Sequence, residues 1–104
     1  MTLRDQINAL QDRRSEEVEL ANGITVRVME MSAQAAIEMS GLDGTDQQRA
    51  QAMLANCIVD DDNLPIYDRE TIAELYAKSM DTVRVLVEAA RRVNGFEDGD
   101  VKKD

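Results

Sequence analysis

Residues 66–96 read Ile66-Tyr-Asp-Arg-Glu-Thr-Ile-Ala-Glu-Leu-Tyr-Ala-Lys-Ser-Met-Asp-Thr-Val-Arg-Val-Leu-Val-Glu-Ala-Ala-Arg-Arg-Val-Asn-Gly-Phe96, and this stretch decides the fold. Apolar side chains recur at Ile72, Leu75, Tyr76, Met80, Val83, Leu86, Val87, Ala90 and Val93, the spacing that lines one face of a helix. Asp68 is a good N-cap, and Glu70 falls in the first turn at the positive end of the dipole. Arg91 and Arg92 suit the last turn. Gly95 is placed for the left-handed C′ position, with Phe96 at C″ able to fold back on the helix. Ser79 and Asp81 are further N-cap candidates that would divide the run in two. Over residues 83–93 the polar residues are Arg84, Glu88, Arg91 and Arg92, one narrow stripe at roughly 100° per residue. The apolar arc opposite spans about 160°, wider than the roughly 100° a helix lying on a core needs. Val85 lies outside that arc, beside the polar stripe. Such a helix is either central in its own domain or partly covered by a partner.

Working outward, 104 residues suffice for one domain that needs no disulfide. The lone cysteine, Cys57, sits in the apolar run Met53-Leu-Ala-Asn-Cys-Ile-Val59 and reads as a small buried hydrophobe in a reducing compartment. The charged N-terminal residues lack the apolar core of a signal peptide, and no apolar run reaches membrane-spanning length. A soluble intracellular protein is expected. The net charge is −9, from 21 acids against 12 bases, which opposes binding to nucleic acid or anionic membranes. The sequence has no histidine, which removes the commonest general base and most transition-metal sites. With one cysteine, structural zinc is excluded. Phosphate loops and nucleophile elbows are absent too, so no enzyme is expected and no catalytic, cofactor-binding or metal-ligating residue is assigned.

The expected fold is α+β, mainly α: a single domain over residues 1–96, in which an N-terminal helix and a β-hairpin precede three to four helices. Residues 1–14 read as a short amphipathic helix, capped by Thr2 with Asp5 three residues on, and with Leu3, Ile7 and Leu10 on one face. Residues 16–31 alternate at period two around Ala21-Asn22-Gly23, a hairpin signal, with Ile24, Val26 and Val28 on one face. Glu16, Glu17, Glu19 and Arg27 would guard the outer edges; where that guard is incomplete, the hairpin is the expected site of strand addition from another subunit. In the helical part, residues 33–96, Ser32 caps a helix that stops at Gly41. Thr45 and Gln48 form a capping box for a helix running to about Val59, with Ala50, Met53, Leu54, Cys57 and Ile58 on one face. Asp60-Asp-Asp-Asn63 suggests a hard cation, but Leu64 and Pro65 break the calcium-loop pattern, leaving a solvated turn as the main reading. Pro65 blocks helix continuation and favours an extended Leu64. Residues 97–104, with one apolar side chain in eight, are expected to be a disordered acidic tail.

The order of these features resembles the tail assembly chaperones of long-tailed, siphovirus-type bacteriophages. The resemblance runs over most of the chain through four degenerate stretches. The second strand, Val26-Arg-Val-Met-Glu-Met-Ser32, is similar to the family's V-x-V-R-E-L-S. Ala55-Asn-Cys-Ile-Val-Asp60 resembles its apolar run with a cysteine before acids. Asp61-Asp-Asn-Leu-Pro-Ile-Tyr67 is similar to D-x-D-G-x-P-L-F. The fourth stretch runs from Ile72-Ala-Glu-Leu-Tyr-Ala-Lys-Ser79 through Ala89-Ala-Arg-Arg-Val-Asn-Gly95 and looks like the family's closing helix, which ends in L-N-G. The chain departs from the pattern at Asn63-Leu64, where a glycine is common, at Met29 and at Ala35-Ala36.

The resemblance implies a non-enzymatic protein that binds the helical tape-measure protein, keeps it soluble and assists tail-tube polymerisation. It would act in the host bacterial cytoplasm during assembly, be absent from the mature virion, and self-associate as a homo-oligomer. The tail-tube protein is a further implied partner. Candidates for the protein-binding surface are Met53, Tyr76, Met80, Val83, Val85 and Val87, each of which reads equally as core. The alternative function is a small acidic adaptor or regulator binding one folded protein. A third reading, magnesium chemistry at Asp60 to Asp62, predicts a metal-dependent rise in melting temperature.

Overall fold

The long apolar run over residues 66–96 is two pieces, and Ser79 is where it divides. The computed structural model describes residues 1–96, so the expected tail at 97–104 lies outside the described residues. Asp68 opens the first piece: its Oδ1 accepts the amides of Glu70 (2.9 Å) and Thr71 (2.8 Å). Residues Thr71–Ala77 then wind as a 3-10 helix with Ile72 and Leu75 buried. Lys78 is extended, and the Ser79 hydroxyl accepts the Thr82 amide at 3.2 Å, starting a second helix, Met80–Val93, that is called α4 below. The cap satisfies a donor that a continuous helix would have bonded internally, so the break costs little.

The C-terminal end of α4 is as expected. Phe96 N–H reaches the Arg91 carbonyl (2.7 Å) and Gly95 N–H the Arg92 carbonyl (3.1 Å), with Gly95 at φ +81°. These are the paired bonds of a Schellman motif. Asn94 does more than end the helix. Its Oδ1 accepts the Met31 amide (2.9 Å), while its Nδ2 donates to the Ala90 carbonyl (2.7 Å) and lies 3.4 Å from Cys57 Sγ. One amide side chain therefore joins the ends of three elements.

They meet at one end of a small sheet. Strands β1 (Ser15–Glu19) and β2 (Thr25–Met29) form the expected antiparallel hairpin, with Val18 opposite Val26 and Glu16 opposite Val28. A third strand, β3 (Ile58–Val59), pairs antiparallel with β2, so the sheet order is β1-β2-β3. The helical reading of residues 46–59 is thus corrected at its end. The helix α3 (Asp46–Cys57) stops one residue before the β-branched pair Ile58-Val59, which turns extended and is buried. The third strand also corrects the role of Arg27. It lies on the central strand, not an outer edge, and ties the sheet together. Its guanidinium reaches Glu17 Oε2 on β1 (3.4 Å) and Asn63 Oδ1 beyond β3 (2.8 Å).

The turns on either side of β2 and β3 have one geometry. In the first, Leu20 N–H reaches the Ile24 carbonyl and Gly23 N–H the Leu20 carbonyl, with Gly23 at φ +78°. In the second, Asp60 N–H reaches the Leu64 carbonyl and Asn63 N–H the Asp60 carbonyl, with Asn63 at φ +66°. Both are three-residue loops closed by a left-handed residue. Asn is among the few residues that occupy that region readily, so the turn survives without a glycine.

The remaining helices are anchored by their expected caps. Ser32 accepts the Ala35 amide and starts α2 (Ala33–Ser40); Thr45 and Gln48 bond reciprocally at the start of α3. The core brings Leu86, Ala89, Ala90 and Val93 of α4 together with Val18 and Val28 of the sheet, Leu54 and Cys57 of α3, and Ile72. The first helix, α1 (Leu3–Asn8), has its Thr2–Asp5 capping box but is shorter than the expected 1–14. Residues 13–14 are instead tied to Glu30, just past the end of β2: Arg13 Nε donates to the Glu30 carbonyl (2.8 Å) and Arg14 N–H to Glu30 Oε1 (3.0 Å). Leu3 and Ile7 of α1, and Leu10 just beyond it, are 55 % to 69 % exposed, so none of the described residues covers that apolar face.

Candidate protein-docking surface

The six residues singled out in the sequence do not form one surface. Met53 is 7 % exposed and belongs to the core, which corrects its assignment as an accessible contact. Tyr76, Val83, Val85 and Val87 are half-buried and pack against the core's margin. Burial pushes the Tyr76 phenol above its ordinary pKa. Met80 is 80 % exposed.

Helical geometry sorts the α4 residues into two flanks. At about 100° per residue, Val85 stands roughly 200° from Val83. It shares a row with Arg92, seven residues on, whose guanidinium grips both carboxylate oxygens of Glu16 on β1, with Nε–Oε1 at 3.1 Å. Val85 therefore flanks the β1 side. Met80, Val87 and Asn94 are seven apart and form a row on the other flank, with Val83 beside them. That row is closed at Asn94 by its bonds to Met31 and Cys57, and open at Met80. The usable part of the predicted surface is thus Met80, Val83 and Val87, edged by Arg84 and Arg91.

A second apolar surface was not anticipated. A groove of ≈ 460 Å³ runs between the hairpin, the segment after Pro65, the 3-10 helix and the start of α4. Its walls include Leu20, Ile24, Val26, Ile66, Leu75 and Leu86, and Lys78 is the one charged residue lining it. Ile24 and Ile66 stand at its mouth, 56 % and 52 % exposed. The signal that marks them is local: each is a β-branched aliphatic in a short extended segment beside a turn, too wet for a core strand. The groove itself depends on the third strand and on the break at Ser79, which bring the walls together.

The acidic cluster is a turn. Asp60 Oδ1 accepts the amides of Asp62 (2.8 Å) and Leu64 (3.1 Å), an Asx-type closure of the loop. Among the described residues no group of three or more His, Cys, Asp or Glu side chains is arranged to hold a metal ion. Cys57 is fully buried, and that burial pushes its thiol above the usual range despite the Asn94 contact. Two carboxylates are held low. Backbone and side-chain hydrogen bonds from Thr71 act on Asp68, and the Arg92 hydrogen bond acts on Glu16. Both shifts arise where the carboxylate caps a helix start or pairs with a guanidinium. Among the described residues no helix is long and apolar enough to cross a membrane.

No protein-family model matches this chain, and no curated protein does. A solved structure does: the tail assembly chaperone of bacteriophage HK97 superposes with a TM-score of 0.60 over 84 % of this chain and 89 % of that one. The two sequences are 15 % identical over the match. At that identity the likeness is one of fold, and it extends over nearly the whole of both chains: this chain folds as the HK97 tail assembly chaperone does.

Proposed function

We propose that this protein is a non-enzymatic tail assembly chaperone that binds a long, helical tape-measure protein and keeps it soluble while the tail tube polymerises around it. The observation that carries this reading is the likeness of fold to the HK97 chaperone across both chains, not across a shared submotif. The surface chemistry is compatible with it. A helix with an apolar stripe self-associates unless the stripe is covered, and Met80, Val83 and Val87 offer an adaptable apolar row for it. The net charge of −9 keeps the loaded complex in solution. Self-association would repeat the row along a long client, so that weak contacts add by avidity.

The test is co-expression with a long-tailed phage tape-measure protein as the client, scoring the client's solubility and copurification. Met80→Asp is the clean variant, because the side chain is exposed and absent from the core. It should lose at least half of the soluble client while the melting curve of the chain itself stays put. Unchanged client solubility with and without the wild-type chain sinks the proposal. A stable one-to-one complex with a folded partner, and no benefit to an insoluble client, favours an adaptor instead.

A further inference from the structure

The apolar groove beside the hairpin holds a cation that the fold leaves unpaired. Among the described residues Lys78 is the one charged side chain lining it, in a chain of 21 acids and 12 bases. Lys78 makes no ion pair or side-chain hydrogen bond with any described residue. Next to it the Ser79 hydroxyl accepts the Thr82 amide and donates to Thr82 Oγ1 (3.2 Å), which leaves the Thr82 proton for an incoming acceptor. Aliphatic side chains and Tyr67 make up the rest of the lining, with Ile24 and Ile66 at the mouth. We infer that this groove takes a turn of the client helix in which an acidic side chain flanks the apolar stripe, its carboxylate held by Lys78 and Thr82. The inference rests on the chaperone reading above and adds which segments of the client are gripped.

The occupant is a helix and not a strand, because the strand edge beside the groove is already paired. Ile66 N–H donates to the Ile58 carbonyl (3.2 Å) and Asp60 N–H to the Leu64 carbonyl (2.9 Å), so the segment around Pro65 covers the outer edge of β3. An incoming strand would find no ladder there, whereas a helix bonds its own backbone and offers side chains alone. The groove also continues the apolar row on α4. Val83 stands about 60° from Leu86 around the helix, so the groove face of Ser79, Thr82 and Leu86 adjoins the row of Met80, Val83 and Val87. Lys78 decides the charge of the occupant. A Lys or Arg beside the stripe would bring two cations together, while an Asp or Glu supplies the pair that the chain itself does not. The net charge of −9 disfavours acids over the rest of the surface, so the selection is local, for one carboxylate at this place on the client.

Fluorescence anisotropy of the full chain with three labelled model peptides tests it. Each peptide is an amphipathic helix of about 18 residues, with leucines along one face and glutamine and alanine elsewhere. They differ at one position flanking the leucines, which is Glu, Gln or Lys. The Glu peptide should bind about threefold more tightly than the Gln peptide, the scale of an exposed ion pair, and the Lys peptide more weakly than either. Lys78→Glu should invert that order, and about 0.5 M salt should flatten it. Lys78 is exposed and its side chain bonds no described residue, so the variant should keep the wild-type melting curve. Ile24→Asp should weaken all three peptides at least tenfold, which assigns them to the groove; Ile66→Asp repeats this should Ile24→Asp disturb the hairpin. Three peptides that bind alike, an order that Lys78→Glu leaves unchanged, a wild type that prefers the Lys peptide, or no binding of any peptide each overturns the inference. A wild-type chain that rescues its client in co-expression while the peptides show no order overturns this contact alone and leaves the proposed function standing.

Discussion

Replacing Asn94 with alanine removes one side chain and unties three elements at once. The Met31 amide, 2.9 Å from Asn94 Oδ1, loses its acceptor in a residue that is buried. A buried donor left unsatisfied costs about 1–3 kcal/mol. The Ala90 carbonyl loses less, because the Asn94 backbone N–H still reaches it at 3.2 Å. The Cys57 sulfur is a weak acceptor and adds little. The expected loss is therefore about 2 kcal/mol, carried mostly by one N–H, and corresponds to a fall in melting temperature of roughly 10 °C for a domain of this size. Urea denaturation followed by circular dichroism measures it, with the slope unchanged if the denatured state is unaffected. Hydrogen exchange at the Met31 amide should quicken in step. A loss under about 0.5 kcal/mol, with Met31 still protected, would refute the reasoning: the amide would then have another partner.

Three further outcomes follow from the same geometry. Gly95→Ala forces a side chain onto φ +81° and should cost about 1 kcal/mol in urea denaturation, although the nearest atom, Arg14 Nη2, is at ordinary contact distance. Cys57 should resist a thiol reagent in the native protein at neutral pH and react at the rate of unfolding, since burial raises its pKa; rapid native labelling would contradict its place in the core. Glu16 is held below its ordinary pKa by Arg92, so the folded state binds that proton less readily than the unfolded chain. Its contribution is then present above the ordinary carboxylate range and lost as pH falls through the lower folded value. Glu16→Gln should flatten that part of the acid-denaturation profile, and an unaltered profile would count against the pairing.

What the sequence made legible was what neighbours in the chain decide. Thr2, Ser32 and Thr45 cap where expected, and Gly95 with Phe96 closes α4, because each depends on residues within four positions. Asp68 also caps as expected, yet the helix it opens is 3-10 and short. A competing cap at Ser79 ends it, and only packing selects between one helix and two. The third strand escaped notice because Met53 to Val59 is apolar at every position but Asn56, and periodicity cannot divide such a run between helix and strand. Its β-branched end pairs with β2 through tertiary contact. The binding candidates separate for a related reason. Met53 and Met80 look alike in composition, but one faces the core and the other solvent. The width of the apolar arc on α4 was read from its sequence; which flank remained open depended on where Asn94 and Arg92 attach.

The break at Lys78 and Ser79 has a mechanical meaning for the groove. One wall carries Leu75 from the 3-10 helix, another carries Leu86 from α4, and Lys78 and Ser79 join the two. In a continuous helix, those walls would move as one rod, and widening the groove would mean breaking helical hydrogen bonds. Here the extended Lys78 joins them, so the angle between the walls is set by one residue's torsions and not by a continuous helical rod. Leu75 and Leu86 both belong to the core, so the groove's floor is held by the same packing that holds the fold.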